Sequence, residues 1–94
     1  MNQQAIDAAV ASMQQILDRD YPHLEWRVLL APPVSSGLEQ EPVVYVHART
    51  RDFRFRCRIS RPWSKLQATP RLQLLVADVA AEAEQTLADL AAAS

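Results

Sequence analysis

An unbroken alternation of apolar and charged residues runs from Phe53 to Ile59. The apolar members are Phe53, Phe55, Cys57 and Ile59. The charged members are Arg54, Arg56 and Arg58. Successive side chains of a β-strand point to opposite faces, so the pattern predicts a strand with one apolar face and one arginine face. Because the apolar face must be covered, the rest of the chain has to supply further strands and a covering layer.

The segment from Val43 to Arg49 is rich in β-branched and aromatic residues, which predicts the preceding strand. A loop centred on Thr50-Arg51 joins the two strands, and we prefer four residues because these two do not favour the positive φ of a two-residue turn. The predicted core pairs are Ala48 with Phe53, Val46 with Phe55 and Val44 with Cys57. The predicted outer pairs are His47 with Arg54, Tyr45 with Arg56 and Val43 with Arg58.

A helix and a first strand are predicted before this hairpin. Residues 3 to 19 repeat apolar side chains at helical spacing, with Asn2 as a suitable N-cap. Pro22 disfavours helical geometry in the residue before it and therefore ends the helix. Leu24 to Leu30 then alternates as a strand, and three prolines with the single glycine make residues 31 to 42 a loop.

The last part of the chain predicts a connection and a long helix. Residues 60 to 69 have no regular pattern, and we expect Trp63 to pack over the end of the sheet. Thr69-Pro70 predicts the start of a helix that runs to about residue 92, because threonine is a good N-cap and proline fits the first helical position. Its main apolar stripe consists of Leu72, Leu75, Val76, Val79, Ala83, Leu87 and Leu90.

The predicted order of elements is α-β-β-β-α. Residues 1 to 94 are expected to form one α+β domain, since a chain of this length supports a single core. The simplest arrangement is a three-stranded antiparallel meander with both helices packed on its apolar face.

This order resembles that of the double-stranded RNA-binding domain, which implies binding to nucleic acid as one function. The resemblance is one of topology. That family carries a lysine cluster at the start of its last helix and a Gly-Pro-x-His-type loop between its first two strands. Here the last helix begins with Pro70-Arg-Leu and the loop contains Ser35-Ser-Gly-Leu, so no site residue is transferred from the family.

The net charge of −1 conceals a strong segregation of charges. Residues 49 to 65 contain six arginines and one lysine against Asp52 alone, a local balance of +6. The rest of the chain has three arginines against ten acidic residues, a balance of −7. This segregation, rather than the overall charge, indicates the chemistry of a partner.

The outer face of the predicted sheet is the candidate binding surface. Its candidate residues are Arg27, Tyr45, His47, Arg49, Arg54, Arg56 and Arg58, with Glu25 beside them. Arginine binds carboxylate and phosphate through its planar fork of donors, so an acidic protein surface is the first candidate partner and nucleic acid the second. The alternative is a solvated face whose arginines prevent sheet-to-sheet aggregation.

Catalytic, cofactor and metal sites are not predicted. His23 and His47 have no Cys, Asp or Glu at the spacing of a metal site or a nucleophile–base pair. Cys57 falls on the core face, where a thiol behaves as a small apolar group, and a shifted register would instead make it reactive. A non-enzymatic interaction module is therefore the expected class of protein.

Two further expectations concern assembly and location. The small residues of the last helix favour close helix approach, and Leu87 and Leu90 are candidates for self-association into a homodimer, with a frayed tail as the alternative. No apolar run approaches the roughly 20 residues of a membrane span, and no secretory signal pattern is present. With Cys57 as the single cysteine, we expect a cytoplasmic protein.

Overall fold

A computed structural model describes residues 3–31 and 42–94. The elements are α1 (Gln3–Asp20), β1 (Leu24–Ala31), β2 (Val43–Thr50), β3 (Arg56–Pro62), α2 (Trp63–Ala68) and α3 (Leu72–Ala93). The three strands form an antiparallel meander in the order β1-β2-β3. The α+β class and the predicted order of elements are confirmed, with α2 as an additional short helix. The predicted Asn2 cap and most of the predicted first loop lie outside the described residues.

The core lies between one face of the sheet and the helices α1 and α3. Alternate strand residues contribute to it, among them Trp26, Val46 and Ile59. From α1 the buried residues are Ile6, Met13 and Leu17, and from α3 they are Leu75, Val76, Val79, Ala80, Ala83 and Leu87. Burying each large aliphatic side chain contributes roughly 1.5–3 kcal/mol, so this layer contributes most of the stabilisation of the fold.

The hairpin between β2 and β3 has the predicted loop length but a different register. Its four-residue loop covers 51–54, between Thr50 and Phe55. The core pairs are Ala48 with Cys57 and Val46 with Ile59, and the outer pairs are Arg49 with Arg56, His47 with Arg58 and Tyr45 with Ser60. Each residue of β2 therefore faces a residue four positions later than predicted. Since four is even, every paired residue of β3 keeps its predicted face.

The prediction that Phe53 lies in the core is wrong. Phe53 is 67% exposed and adopts a positive φ of 63°. The Thr50 hydroxyl donates to Asp52 Oδ1 over 2.7 Å and accepts from the Phe55 backbone N–H over 3.1 Å, while Asp52 Oδ1 also accepts from the Arg54 N–H. These side-chain bonds to the backbone form a turn where the alternation predicted a strand. Phe55 still packs against the core, though only in part.

The connection after β3 is helical, although its residues show no regular pattern. Trp63 and Leu66 of α2 are both buried, so the expected packing of Trp63 is confirmed. Thr69 does not open the last helix; its N–H donates to Leu66 O and its hydroxyl to Lys65 O, which ends α2. The last helix begins two residues after Pro70, at Leu72.

Leu87 and Leu90 differ in exposure. Leu87 is only 5% exposed and belongs to the core, so it is not available to a second copy of the chain as the sequence analysis expected. Leu90 is 42% exposed. Among the described residues, no helix is long and apolar enough to cross a membrane.

Candidate functional site

The outer face of the sheet brings arginines of all three strands together at one end. The register places Glu25, Arg49 and Arg56 in one row across the strands, and Arg27, His47 and Arg58 in the next. We call these six residues the basic face. Together with Trp26, Ala48 and Cys57, they line an open depression of about 870 Å³. Continuing along the sheet, the third row is Leu29, Tyr45 and Ser60.

Only one arginine of the basic face has a carboxylate partner among the residues that the structure describes. Arg49 Nη2 lies 2.9 Å from Glu25 Oε2. Arg27, Arg56 and Arg58 are exposed and have no ion pair within the described part of the chain. Arg49 and Arg56 also face each other directly across β2 and β3. Like charges in directly opposite positions destabilise a sheet, so an anion between them would relieve a cost of the folded state.

Two of these guanidinium groups lie over aromatic rings. Arg58 lies over the Tyr45 ring, 4.9 Å from its centroid, and Arg49 lies over Phe53 at 4.3 Å. Stacking of this kind contributes about 0.5–1 kcal/mol at an exposed site. Because a stacked guanidinium donates through its edge, the N–H groups stay available to carboxylate or phosphate oxygens.

Six of the seven predicted partner-binding residues lie on this side of the sheet, and Arg54 does not lie on a strand. Arg54 belongs to the 51–54 turn, with its guanidinium 5.5 Å from the Phe55 ring centroid. The residue that sequence reasoning missed is Phe53, an exposed ring beside Arg49. The signal that could have located it is the Thr50-x-Asp52 pair, which favours a turn at this position.

Arg51 and Arg61, the other two arginines of residues 49 to 65, have structural contacts. Arg51 donates to the carbonyl oxygen of Pro22 over 2.8 and 2.6 Å, which connects the hairpin turn to the turn that precedes β1. Arg61 lies on the inner side of β3, and its Nη2 is 2.8 Å from Glu82 Oε1 and 3.6 Å from Asp78 Oδ2 on α3. These two arginines therefore do not belong to the basic face.

Cys57 and Asp52 are the titratable groups near the site whose environment shifts their pKa. Burial, together with the charge of Glu82, raises the pKa of the Cys57 thiol, which keeps it protonated. The hydroxyl of Thr50 and the N–H of Arg54 lower the pKa of Asp52 by hydrogen bonding to its carboxylate. Within the described ranges, no group of three or more His, Cys, Asp or Glu side chains could hold a metal ion.

The helical layer carries the opposite charge. The acidic residues of α3 are Asp78, Glu82, Glu84 and Asp89, and this helix has no basic residue. His23, in the turn before β1, has its Nε2 2.7 Å from Glu84 Oε1. The domain therefore has arginines on the outer face of its sheet and carboxylates on the helix behind that sheet.

These elements define a small α+β domain with helices on one side of its sheet and the basic face on the other. No protein-family model matches the chain, and neither a curated protein nor a solved structure matches it significantly. Its function is therefore inferred from the architecture and from the chemistry of the basic face.

Proposed function

We propose that this chain is a non-enzymatic interaction module that binds an acidic segment of another protein through its basic face. The observation that supports this most directly is the set of unpaired arginines around the open depression. Arg27, Arg56 and Arg58 come from two different strands, yet all three are exposed on one surface without a carboxylate partner among the described residues. An acidic partner would supply the missing counter-charges.

The expected binding is modest in affinity and sensitive to salt. Exposed ion pairs contribute about 0–1 kcal/mol each, so three such pairs contribute at most about 3 kcal/mol at low ionic strength. The Debye length is about 10 Å at 0.1 M salt, so added salt should weaken the attraction substantially. A face of this sign also raises the rate at which an anionic partner associates.

The stacking on Tyr45 favours a protein partner over nucleic acid. Single-stranded nucleic acid binds to proteins through bases stacked on exposed aromatic rings as well as through phosphates. Tyr45 is the aromatic side chain of the sheet's outer face, and the Arg58 guanidinium already lies over its ring. On the strands, the groups left for a partner are guanidinium edges, which recognise carboxylates without any base stacking. Phe53 is exposed in the turn, but the Arg49 guanidinium lies over its ring as well.

A binding experiment with a defined acidic probe tests this proposal. Fluorescence anisotropy would measure the Kd of a labelled 20-residue polyglutamate at low salt. We expect Arg56→Glu with Arg58→Glu to weaken binding at least tenfold, and its matched control, Lys65→Glu with Arg71→Glu, to change it less than twofold. The control has the same net charge, but both of its residues are exposed outside the sheet's outer face.

Three results would contradict the proposal. Equal losses in both double variants would mean that only net charge matters. Tighter binding of a 20-residue polythymidine, with the same dependence on Arg56 and Arg58, would favour nucleic acid as the partner. No measurable binding of either probe at low salt would mean that the arginines only form a solvated surface of the sheet.

Location and assembly are part of the same proposal. We place the module in the cytoplasm, where its single cysteine, Cys57, would remain a free thiol. Self-association into a homodimer through the end of α3 would depend on Leu90, since the Leu87 side chain is buried in the core.

A further inference from the structure

The backbone groups at the two edges of the sheet differ in whether the rest of the chain hydrogen-bonds to them. At the β1 edge, Gln14 of α1 donates from Nε2 to the Trp26 carbonyl oxygen over 2.8 Å and accepts at Oε1 from the Val28 N–H, also over 2.8 Å. An amide side chain therefore makes the two bonds that a neighbouring strand would make. At Trp26 and Val28, this edge is therefore occupied by the helix that packs on it.

The hydrogen-bond pattern of the β2–β3 hairpin shows which groups face the other edge. At one end the Thr50 N–H donates to Phe55 O over 2.9 Å. At the other end the Trp63 N–H donates to Pro42 O over 2.9 Å. Because hydrogen-bonded pairs alternate along an antiparallel ladder, every second residue of β3 directs its backbone N–H and C=O away from β2. Those residues are Arg56, Arg58 and Ser60.

The β3 edge is open over most of this length. Arg56, Arg58 and Ser60 are all exposed. The Ser60 carbonyl oxygen accepts from Arg61 Nη1 over 2.9 Å, whereas the other outward backbone groups of these three residues have no partner within the described part of the chain. Pro62 has no N–H to offer, so the free edge ends there.

We propose that an acidic, extended segment of the partner pairs with β3 as a fourth strand. This inference rests on the proposed function and specifies how the partner binds. In strand addition, main-chain hydrogen bonds provide affinity and alternate side chains provide specificity. The side chains of Arg56 and Arg58 project on the outer face. A directly paired strand would hold its same-face side chains about 5 Å from theirs, so carboxylates at alternate positions would meet both arginines.

Charge argues against a second copy of β3 as the occupant. Two β3 strands paired antiparallel would bring Arg56 and Arg58 of one copy against the arginines of the other. Like charges in opposite positions destabilise such a pair, and charged edge residues are a common protection against edge-to-edge association. The same arginines that oppose self-pairing would attract an acidic strand, so the edge selects its partner by charge.

N-methylated peptides test the backbone pairing without altering the protein. The probe is a labelled Thr-Glu-Val-Glu-Val-Glu-Thr peptide with blocked ends. One analogue carries N-methyl groups on its glutamates, and the other carries them on the two valines. Glutamates on the outer face direct their N–H groups to β3 in antiparallel pairing, whereas the valines do so in parallel pairing. We expect one analogue to lose at least tenfold in affinity and the other to bind within twofold of the parent peptide.

A second test changes the edge itself. Ser60→Pro removes an outward N–H without changing charge, and Ser60→Ala is its matched control because it keeps that N–H. We expect the proline variant alone to bind the peptide at least fivefold more weakly, with both variants folded by circular dichroism. If the proline variant does not fold, the two N-methylated peptides decide the question.

The outcomes separate this inference from the proposed function. Strand addition is overturned if both N-methylated peptides bind as tightly as the parent, or if the parent does not bind at all. In the first case the proposed function stands, provided that Arg56→Glu with Arg58→Glu still abolishes binding. If the parent peptide does not bind, the polyglutamate experiment decides whether the proposed function stands. If neither the peptide nor polyglutamate depends on Arg56 and Arg58 for binding, strand addition and the proposed function are both overturned.

Discussion

Gln14 offers the sharpest test of how the sheet is held, because one amide satisfies two backbone groups of β1. Its contacts with the Trp26 carbonyl and the Val28 N–H are both 2.8 Å long. A typical intramolecular hydrogen bond contributes about 0.5–1.5 kcal/mol net. Gln14→Ala should therefore lower the free energy of unfolding by about 2 kcal/mol. In a domain of this size that corresponds to a fall in Tm of roughly 8–16 °C.

Urea unfolding followed by tryptophan fluorescence would measure this loss. Gln15→Ala is the matched control. Gln15 lies next to Gln14 on the exposed side of α1, and its replacement makes the same chemical change with the same effect on helix propensity. Gln14→Glu should destabilise the domain at least as much as Gln14→Ala, since its carboxylate would face the Trp26 carbonyl oxygen and the Asp18 carboxylate, to both of which Gln14 Nε2 donates. The reasoning fails if Gln14→Ala costs no more than Gln15→Ala, or if the Val28 amide exchanges equally fast in both variants.

Four other outcomes are expected. Phe53→Gly should stay within about 1 kcal/mol of wild type in unfolding free energy, since relief of the positive φ offsets the lost arginine stacking, whereas a loss above about 3 kcal/mol would mean that the ring is buried after all. Cys57 should react with iodoacetamide at pH 8 at least tenfold more slowly in the folded protein than in urea, because burial raises its pKa; equal rates would contradict this. The lowered pKa of Asp52 means that its contribution is present above the ordinary aspartate pKa and is lost as pH falls through the folded value, so the stability difference between wild type and Asp52→Ala should shrink in acid; a difference constant from pH 7 to pH 2 would refute the shift. Leu90→Asp should abolish any concentration-dependent mass in light scattering without changing the melt, and a mass that persists would place self-association elsewhere.

The faces of the sheet could be predicted from the sequence, but the position of the hairpin turn could not be read from alternation. A shift by an even number of residues preserves the inward or outward assignment of every residue that stays in a strand, so the pattern is equally compatible with turns at 49–52 and at 51–54. What decides between them is local. The Thr50 hydroxyl and the Asp52 carboxylate bond to backbone groups of the turn, and this chemistry outweighs the tendency of Phe53 to be buried.

The helix starts were missed for a related reason. Thr69-Pro70 has the composition of a helix N-terminus, yet the threonine hydroxyl bonds backward to Lys65 O. A cap at the end of one helix and a cap at the start of the next use the same residue types, and only the burial of Trp63 and Leu66 shows that a helix precedes Thr69. A six-residue helix has too few turns for its periodicity to stand out in the sequence.

The segregated charges of the sequence lie on opposite sides of the folded domain. Arginines on the outer face and carboxylates on α3 could in principle attract each other between copies of the chain. Such a contact joins two different surfaces, so it leaves one of each free and leads to a ring or an open filament rather than to a dimer. Within one copy of the chain, Arg61 already pairs with Asp78 and Glu82 and reduces the net negative charge of α3. On the basic face, Arg27, Arg56 and Arg58 have no carboxylate partner among the described residues. Arg56 and Arg58 also lie on the open edge of β3, which is where an acidic strand from a different protein would find both counter-charges and backbone partners.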